Sequence, residues 1–483
     1  MRTITRALGA VLAILLTQGC QQTRVDFTPH QAPSIAEFSS LTGAPEITFP
    51  AKVSNALDNA YLYQQLDHVS VHQLPHTTSK LNYINLVLLN SQQPMADIDV
   101  IQTAFRQKAL MLANSSSLSC IETLQVSAGV HHISLSLACP NEALFDAITL
   151  LVEQWQPDSF AALDTQRIQR NLKLNKHINA YSGAEIDRAW AKLILGELHP
   201  YNQSLNNPQW QDELDNLQLT NIQTQLLDGA QWHLLLSHSL NDAIIAKLKP
   251  ILKPLTHSSV APERLNSVDS AAATTASNQL IYLIDSPGAV QTQVRVGYRL
   301  PDTKIAAQQC QLLARWLGRS FSGRLYYDLR ETRGLTYGVY GRCFRNPQAT
   351  TLKFFGQTKV QHTGTFMQGI LDHINLAKSA LAAPAEVDAL SHYMTSQYQL
   401  NASNIQSTQA YYINQLTLNI SQQERQKQLQ RLMQIDANYL NQAAASIFTE
   451  SPIILIRADA EIVTPHLRQM FPERKIKVIK PPA

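Results

Sequence analysis

The sequence predicts an α+β protein made of two similar halves, and three observations support this fold class. The chain has 483 residues, whereas an ordinary domain has roughly 100 to 200. Two polar segments without regular hydrophobic patterns, 21–45 and 258–278, separate two blocks of similar length. Strand and helix patterns follow one another in nearly the same order in both blocks, which suggests an internal duplication. We therefore expect one domain at 46–257, the first half, and another at 279–483, the second half.

The first half contains the patterns of two strands, a helix, a hairpin and further helices. The stretches HVSVHQLP and LNYINLVLLN alternate as neighbouring strands do. The segment Asp97–Leu112 and the stretch NEALFDAITLLVEQW carry apolar residues at helical spacing, and RIQRNLKLNKHINAYSGAEI continues as one long helical stretch. Between the first two helices, the segment from Cys120 to Cys139 alternates on both sides of Gly129, which predicts a hairpin.

The second half repeats this order. LIYLIDSP and TQVRVGYRL predict strands, AAQQCQLLARWL and SGRLYYDLRET predict helices, and TYGVYGRCF with ATTLKFFGQ predicts a strand pair. Three later stretches have helical spacing, GTFMQGILDHINLAKSAL, PAEVDALSHYMTSQYQLNA and DANYLNQAAASIFT, and PIILIRA predicts a closing strand.

Composition and charge argue against a nucleic-acid-binding protein. Apolar residues make up 45% of the chain, enough for a sizeable core, and charged residues only 16%. The net charge is +3 and no run of Lys and Arg occurs. A basic footprint for nucleic acid is therefore missing.

The first 20 residues have the layout of an export signal. The apolar run Ala7–Leu16 follows two arginines, and it is shorter than the about 20 apolar residues that a membrane-spanning helix needs. The ending Gly-Cys resembles the lipobox of bacterial lipoproteins, which predicts a signal peptide at 1–20 and lipidation of Cys20. Plain secretion or an uncleaved anchor is the alternative. Gln21 after the cysteine favours the periplasmic face of the outer membrane, and 21–45 then serves as a tether.

Four cysteines remain after Cys20, and an exported protein meets oxidising conditions. Cys120 and Cys139 lie almost symmetrically about the hairpin turn, so a disulfide between facing strands is one interpretation. Cys310 and Cys343 fit either buried free thiols or a second pair. The sequence leaves both pairings open.

Three histidines at a spacing of four, His68, His72 and His76, raise the question of a metal site. On a helix they would share one face. The alternation of valine with polar residues and the proline at position 75 favour a strand instead. We therefore expect a solvated strand face with incidental histidines rather than a metal site.

Two stretches of the second half carry a family resemblance. YLIDSPGAVQTQVRVGY and FSGRLYYDLRETRGLTYGVY, followed by a helical tail, resemble the C-terminal half of the pitrilysin (insulinase-like, M16) zinc metallopeptidases. The resemblance implies two homologous mixed α/β domains of the LuxS/MPP-like metallohydrolase type, which together form half of a clamshell. It covers nearly all of the chain beyond the tether.

The zinc motif of the active members of that family is missing. They carry HxxEH on the first helix of a half, where two histidines bind zinc and the glutamate acts on the bound water, and a distal glutamate completes the site. The corresponding helix, Asp97–Leu112, contains neither His nor Glu. The stretch expected to hold the distal ligand offers Asn171, Lys173 and Lys176, and Glu185 comes too late. We therefore expect no cofactor in this chain and zinc in a separate partner.

The resemblance also implies a role for Arg330 and Tyr337. In active members, a half without zinc often supplies an Arg and a Tyr seven residues apart to the partner's site. An arginine can bind a carbonyl or carboxylate, and a tyrosine hydroxyl can donate to a developing oxyanion. The alternatives are that Arg330 only pairs with Glu331 or Asp328, and that the Tyr337 ring lies in the core.

The sequence thus predicts the non-catalytic subunit of a heterodimeric M16-type zinc peptidase. Its partners would be an HxxEH-bearing subunit, peptide substrates and the membrane that holds its lipid. The competing interpretation is a catalytically inactive peptide-binding or structural scaffold of the cell envelope. A homodimer also remains open.

Overall fold

The computed structural model describes residues 60–75, 80–181, 184–203, 208–255, 277–301, 303–401 and 404–479. The predicted signal peptide and tether, His76 and most of the predicted linker lie outside these ranges. Within them, no helix is both long enough and apolar enough to cross a membrane.

The first half forms six strands and seven helices among the described residues. The strands are β1 (Tyr61–Leu66), β2 (Val69–Gln73), β3 (Leu81–Leu89), β4 (Gln125–Gly129), β5 (His132–Pro140) and β6 (Gln231–Leu236). The helices are α1 (Ile98–Ser115), α2 (Leu144–Glu153), α3 (Thr165–Tyr181), α4 (Ala184–Leu195), α5 (Pro200–Gln203), α6 (Asn216–Leu226) and α7 (Asp242–Leu252).

The second half contains a second set of six strands. They are β7 (Leu280–Asp285), β8 (Gln291–Leu300), β9 (Thr336–Asn346), β10 (Ala349–Lys359), β11 (Ile453–Ala458) and β12 (Lys475–Ile479). Its helices are α8 (Lys304–Gly318), α9 (Arg324–Tyr326), α10 (Thr363–Ser379), α11 (Pro384–Asn401), α12 (Ile405–Thr417), α13 (Gln422–Met433), α14 (Ala437–Ile447) and α15 (Ala460–Met470). A π-helical turn, Tyr327–Thr332, directly follows α9.

Five strands of each sheet follow the same order, which confirms the predicted fold class. The sixth strand differs, because β1 is the first strand of its half and antiparallel to β2, whereas β12 is the last strand of its half and parallel to β7. The first sheet runs β1-β2-β6-β3-β5-β4 and the second runs β12-β7-β11-β8-β10-β9. In the first sheet, β3 is antiparallel to both of its neighbours, and β2 is parallel to β6. In the second sheet, β8 is likewise antiparallel to both of its neighbours, and β7 is parallel to β11. Such a match in order and direction is the structural form of the repeated pattern seen in the sequence.

Each sheet buries one face against helices of its own half. In β8, Val294 and Val296 point into the core of the second half, while Arg295 between them points to the opposite face. Successive side chains of a strand alternate between the two faces. The second face of each sheet therefore needs a different cover.

That cover comes from the other half, because each half lends one helix to the other's sheet. Ile186 and Trp190 of α4 pack on Tyr282 and Ile284 of the second sheet. Reciprocally, Ile405, Tyr412 and Ile413 of α12 pack on the first sheet, against a group that includes Val87 and Leu235. We call this arrangement the helix exchange. It joins the halves through apolar surface, the main source of stability in such contacts.

Charged groups reinforce the exchange at α4. Asp187 accepts from Arg295 Nε at 2.8 Å and from Lys353 Nζ at 2.6 Å. The side chains of Arg295 and Lys353 are 8% and 6% exposed, and that of Asp187 is 47% exposed. Burial alone would raise the pKa of Asp187, but the hydrogen bonds and charges of Arg295 and Lys353 outweigh it and hold the pKa below its usual value.

A buried polar cluster reinforces the exchange at α12 and corrects the expectation for His72. The side chain is 2% exposed. Its Nδ1 lies 3.0 Å from the Tyr412 hydroxyl, and its Nε2 lies 2.9 Å from Nδ1 of His233. The prediction of a solvated strand face was wrong because the sequence of β2 does not reveal that a helix from the other half covers it.

Both cysteine pairs are joined in the structure. Cys120 bonds to Cys139, and Cys310 bonds to Cys343. The first bridge joins the two cysteines considered from the sequence, but they do not face each other across two strands, because Cys120 precedes β4 and lies outside the hairpin ladder. The second ties α8 to β9, so the edge strand of the second sheet is covalently fixed to the helix beneath it.

The sequence patterns missed several elements. They gave no signal for the edge strands β1 and β12 or for β6, and they did not resolve α12, α13 and α15. The long stretch expected as one helix is two, because α3 ends at Tyr181 and α4 begins at Ala184. A serine and a glycine stand between them in the sequence, and both residue types form helices less readily than alanine.

Replacing Asp187 tests the charged contact between the halves. Asp187→Asn leaves two buried cations without their carboxylate, so we expect the free energy of unfolding in urea to fall by about 1 to 3 kcal/mol. The loss stays within this range because Asp187 is itself partly exposed. Asp212→Asn is the matched control, because the Asp212–Lys173 pair is exposed on both sides; we expect a change below about 0.5 kcal/mol. Equal effects of the two substitutions would contradict this account.

Acidification tests the histidine cluster. Burial lowers the pKa of His72 from 6.5 to about 3, with the nearby His233 adding to the shift, and lowers the pKa of His233 to about 4. As the pH falls, these histidines are protonated in the unfolded chain at a higher pH than in the folded chain. The free energy of unfolding is therefore highest above pH 6.5 and declines as the pH falls toward 4. The expected decline is about 1.4 kcal/mol per pH unit for each histidine. In urea titrations between pH 7 and 5, His72→Gln reduces this slope and His177→Gln, on the exposed side of α3, does not. An unchanged slope in His72→Gln would rule out the cluster as its source.

Candidate functional site

The candidate site is built on the connection between α8 and β9. After α9, the chain continues through the π-helical turn that carries Arg330 and then reverses at Gly334, whose φ is 62°. Gly334 N–H donates to the Arg330 carbonyl at 3.1 Å, and Leu335 N–H donates to the Leu329 carbonyl at 2.8 Å. A glycine adopts this left-handed conformation without strain, so the reversal into β9 depends on it.

A buried carboxylate anchors the π-helical turn. Asp328 is completely buried and accepts hydrogen bonds from Arg333 Nε at 2.9 Å and His373 Nε2 at 2.8 Å. Burial by itself would raise the pKa of Asp328, but the hydrogen bonds and charges of His373 and Arg333 outweigh it and lower the pKa. Leu329, also fully buried, adds an apolar anchor. The next residue, Arg330, thus leaves a fixed backbone.

Arg330 is partly exposed and held by two neighbours. Its guanidinium lies 4.8 Å from the ring centre of Tyr326 and donates to the Tyr326 hydroxyl. Its Nε lies 3.4 Å from Oε1 of Glu331, and 37% of its side chain is exposed. Of the two ion pairs considered from the sequence, the structure contains the one with Glu331. Asp328 is bound to Arg333 and His373 instead.

Tyr337 projects from the start of β9. The residue is 84% exposed, so its ring is not in the core, contrary to the structural alternative drawn from the sequence. No hydrogen bond to its hydroxyl is found within the part of the chain that the structure describes. A bulge holds the backbone here, because the Thr336 hydroxyl accepts from Gly338 N–H and donates to the Gln357 carbonyl, where the β9–β10 register shifts.

Arg330 and Tyr337 line the same open groove, which we call the Arg–Tyr groove. It has a cavity volume of about 730 Å³. Its floor is the open face of the second sheet and one wall is the π-helical turn. Besides Arg330 and Tyr337, its principal side chains are Arg295, Glu331, Tyr340, Phe355 and Lys359.

The chemistry of this groove suits an extended peptide. Three cations and one carboxylate surround it, so it favours carbonyl and carboxylate oxygens. Tyr340 and Phe355 add apolar contact area, and their ring centres are 5.7 Å apart. Tyr340 lies in the stretch that carries the family resemblance, whereas sequence reasoning missed Arg295, Phe355 and Lys359, because they come from β8 and β10 and no local motif links them to Arg330.

The helix in the position of the zinc motif does not fit a metal. Across the ranges that the structure describes, no three His, Cys, Asp or Glu side chains come close enough to hold an ion. In α1 a buried cation, Lys108, faces inward, where its Nζ donates to the Gln154 carbonyl at 2.6 Å and lies 4.4 Å from the Phe160 ring centre. Burial lowers its pKa from 10.5 to about 7. Lys173, at the place expected for the distal ligand, pairs with Asp212 at 2.6 Å.

Comparison with known families confirms the resemblance drawn from the sequence. Residues 242–393, which include the whole Arg–Tyr groove, match the family described as the peptidase M16 inactive domain. No curated protein matches the chain by sequence.

Solved structures share the fold of the chain. A peptidase M16 inactive domain from Pseudomonas fluorescens has a TM-score of 0.67 at 15% identity, over 83% of this chain and 98% of that one. A chain of Complex III2 from Candida albicans has a TM-score of 0.66 at 12% identity, over 84% of this chain and 99% of that one. The periplasmic protease PqqL from Escherichia coli has a TM-score of 0.58 at 12% identity; the match covers 93% of this chain and 50% of PqqL.

The anchor of the π-helical turn can be tested through stability. Asp328→Asn removes the charge that accepts hydrogen bonds from Arg333 and His373 in a buried site, so we expect the free energy of unfolding in urea to fall by about 3 kcal/mol or more. Glu331→Gln alters only a half-exposed ion pair in the same turn, and we expect a loss under about 1 kcal/mol. A tolerated Asp328→Asn would show that the turn does not rely on the buried carboxylate.

Proposed function

We propose that this chain is the non-catalytic subunit of a two-chain zinc peptidase of the M16 type. The observation that carries the proposal is the exposed Tyr337 hydroxyl, which stands beside Arg330 in an open groove. A large aromatic side chain that contributes nothing to its own core is typical of a binding surface. The match of 242–393 to the peptidase M16 inactive domain supports the same assignment.

In this proposal the zinc and its HxxEH helix belong to a separate subunit. The Arg–Tyr groove faces that subunit's site and closes over a peptide bound there. Arg330 holds a carbonyl or carboxylate of the peptide through its fork of N–H donors. The Tyr337 hydroxyl donates to the oxygen on which negative charge develops as the peptide bond is cleaved. Glu331 keeps the guanidinium oriented when no peptide is bound.

The support for the location that we propose for the complex comes from the sequence. A lipid on Cys20 would hold the chain at the periplasmic face of the outer membrane, and the tether 21–45 would give the folded part its reach. The two disulfides are consistent with an oxidising compartment, where such bonds persist.

A structural scaffold is the second candidate, and one comparison favours it. The same fold occurs in a chain of Complex III2 from Candida albicans. On this view Arg330 and Tyr337 would have no role in catalysis, and the groove would serve only to bind peptides or protein segments.

The two candidates differ in what co-purifies and in what the Arg–Tyr pair does. The full chain is extracted from membranes in mild detergent, purified through a C-terminal tag, and its near-stoichiometric partner is identified by mass spectrometry. We expect this partner to carry HxxEH, and we expect the complex of the two chains to have peptidase activity. Tyr337→Phe and Arg330→Ala should each lower kcat about a hundredfold or more, the usual effect of losing one oxyanion donor.

Tyr327→Phe is the matched control for the hydroxyl. This tyrosine is 49% exposed on the π-helical turn but does not line the groove, so we expect unchanged activity. Size-exclusion chromatography verifies that each variant still forms the pair. If the Tyr337→Phe and Arg330→Ala variants each assemble with the partner and keep full activity, the catalytic role is refuted and the scaffold remains as the explanation. Absence of any HxxEH-bearing partner would refute the two-subunit enzyme.

A further inference from the structure

The cations around the Arg–Tyr groove are not equally available to a ligand. Arg295 and the neighbouring Lys353 donate to the same carboxylate, that of Asp187, at 2.8 and 2.6 Å. Arg330 lies 3.4 Å from Glu331. A cation that is already paired attracts an incoming negative charge less than an unpaired cation does, because its carboxylate offsets the attraction. Selection by charge in this groove therefore depends on the cations that lack such a partner.

Lys359 is an exposed cation at the end of the groove where Tyr337 lies. It is the last residue of β10, and it lines the groove. The residue before it, Thr358, is the cross-strand partner of Thr336, which directly precedes Tyr337. Lys359 and Tyr337 are therefore diagonal neighbours on adjacent strands, roughly 8 Å apart between their Cα atoms.

Arg342 is a second exposed cation, on the same face of β9 as Tyr340. It comes two residues after Tyr340, which places it about 7 Å further along the strand, just beyond the groove. Its guanidinium lies 4.9 Å from the ring centre of Phe344, and this contact holds the charge close to the sheet. Its partner in the β9–β10 ladder is Lys353, another cation.

Neither Lys359 nor Arg342 has a carboxylate within ion-pair distance in the ranges that the structure describes. The acidic side chains nearest to the groove, Asp187 and Glu331, are both held by other cations. The open face of the second sheet is therefore positive at both ends of the path from Lys359 to Arg342. A cleft lined by one sign of charge raises the local concentration of ligands of the opposite sign.

We propose that the Arg–Tyr groove selects acidic peptides and that Lys359 and Arg342 determine this specificity. Lys359 contacts a glutamate or aspartate close to the peptide bond that lies at Tyr337. Arg342 contacts a second one, roughly 15 Å or five residues of extended peptide away from that bond. A lysine or arginine at either position is repelled. This inference rests on the proposed function for the role of the groove and adds the class of its substrate.

The test is calorimetric titration of the purified full chain with three matched octapeptides. Each alternates alanine with glutamate, glutamine or lysine, and all are acetylated and amidated so that only their side chains carry charge. An extended octapeptide spans about 26 Å, enough to reach both cations. At low ionic strength we expect saturable binding of the glutamate probe, at least tenfold tighter than that of the glutamine probe, and no binding of the lysine probe. Equal affinities for all three, or no binding of the glutamate probe up to about 1 mM, would overturn the proposal.

Substitutions locate the binding. Lys359→Gln and Arg342→Gln should each weaken binding of the glutamate probe about fivefold, and the double variant Lys359→Glu with Arg342→Glu should prefer the lysine probe. Both side chains are exposed, so we expect unchanged melting temperatures. Lys427→Gln, on the exposed face of α13, is the matched control and should bind the glutamate probe as the unchanged chain does. A double variant that still prefers the glutamate probe would contradict the assignment of these two residues.

A competition experiment separates an acidic peptide from anions in general. Inorganic triphosphate is titrated against the bound glutamate probe, and we expect it to displace the probe only at concentrations well above that of the probe. Displacement at equal or lower concentration would refute a peptide site and show a general anion site instead.

The outcome for the substrate class is distinguishable from the outcome for the two-subunit enzyme, because all titrations use this chain alone. A chain without preference for the glutamate probe, in a pair that still cleaves peptides, would refute only the acidic substrate class. A clear preference for the glutamate probe in a chain without any HxxEH-bearing partner would refute only the proposed enzyme.

Discussion

Each sheet has one face that its own half leaves bare, and the covering of that face determines how the rest of the chain is arranged. Both halves solve the problem in the same way, by lending a helix to the other's sheet. The apolar contacts of α4 and α12 supply most of the association, and the buried polar groups fix its geometry: Asp187 between two cations on one side, and His72 with Tyr412 on the other. A polar contact adds little net stability when formed but is costly to leave unmade, so these pairs oppose any sliding of one half over the other.

Because one helix does not cover a six-stranded sheet, part of each bare face remains open near its outer strand. The Arg–Tyr groove and a second cavity, between the β4–β5 hairpin and α12, occupy these equivalent places, beside β9 and β4. The duplication thus gives one chain two related surfaces whose side chains have diverged. The second half gained a buried carboxylate, Asp328, which supports a turn carrying an arginine. The first half has the disulfide-linked segment at Cys120 before its edge strand instead.

The sequence revealed features that depend on neighbouring residues and concealed those that depend on distant ones. Arg330 and Tyr337 were recognisable because one turn and the start of one strand hold them, within eight positions. The partner of Asp328 was not, because His373 lies 45 residues away on α10. His72 was misjudged for the same reason, since its cover stands 340 positions later. The cavity between the β4–β5 hairpin and α12 had no signal in the sequence, because only the helix exchange brings these elements together.

The long free edge of β9 has a consequence for the solubility of the chain. Among the described residues, β9 pairs only with β10, so the outer edge of this eleven-residue strand is a template on which another strand can add, including the same strand of another copy. Arg342 and Arg345 lie along it, with no acidic residue between Thr336 and Asn346. When two copies approach edge to edge, these arginines bring like charges together, which is unfavourable. The positive charge of β9 therefore opposes edge-to-edge pairing of two copies of this chain.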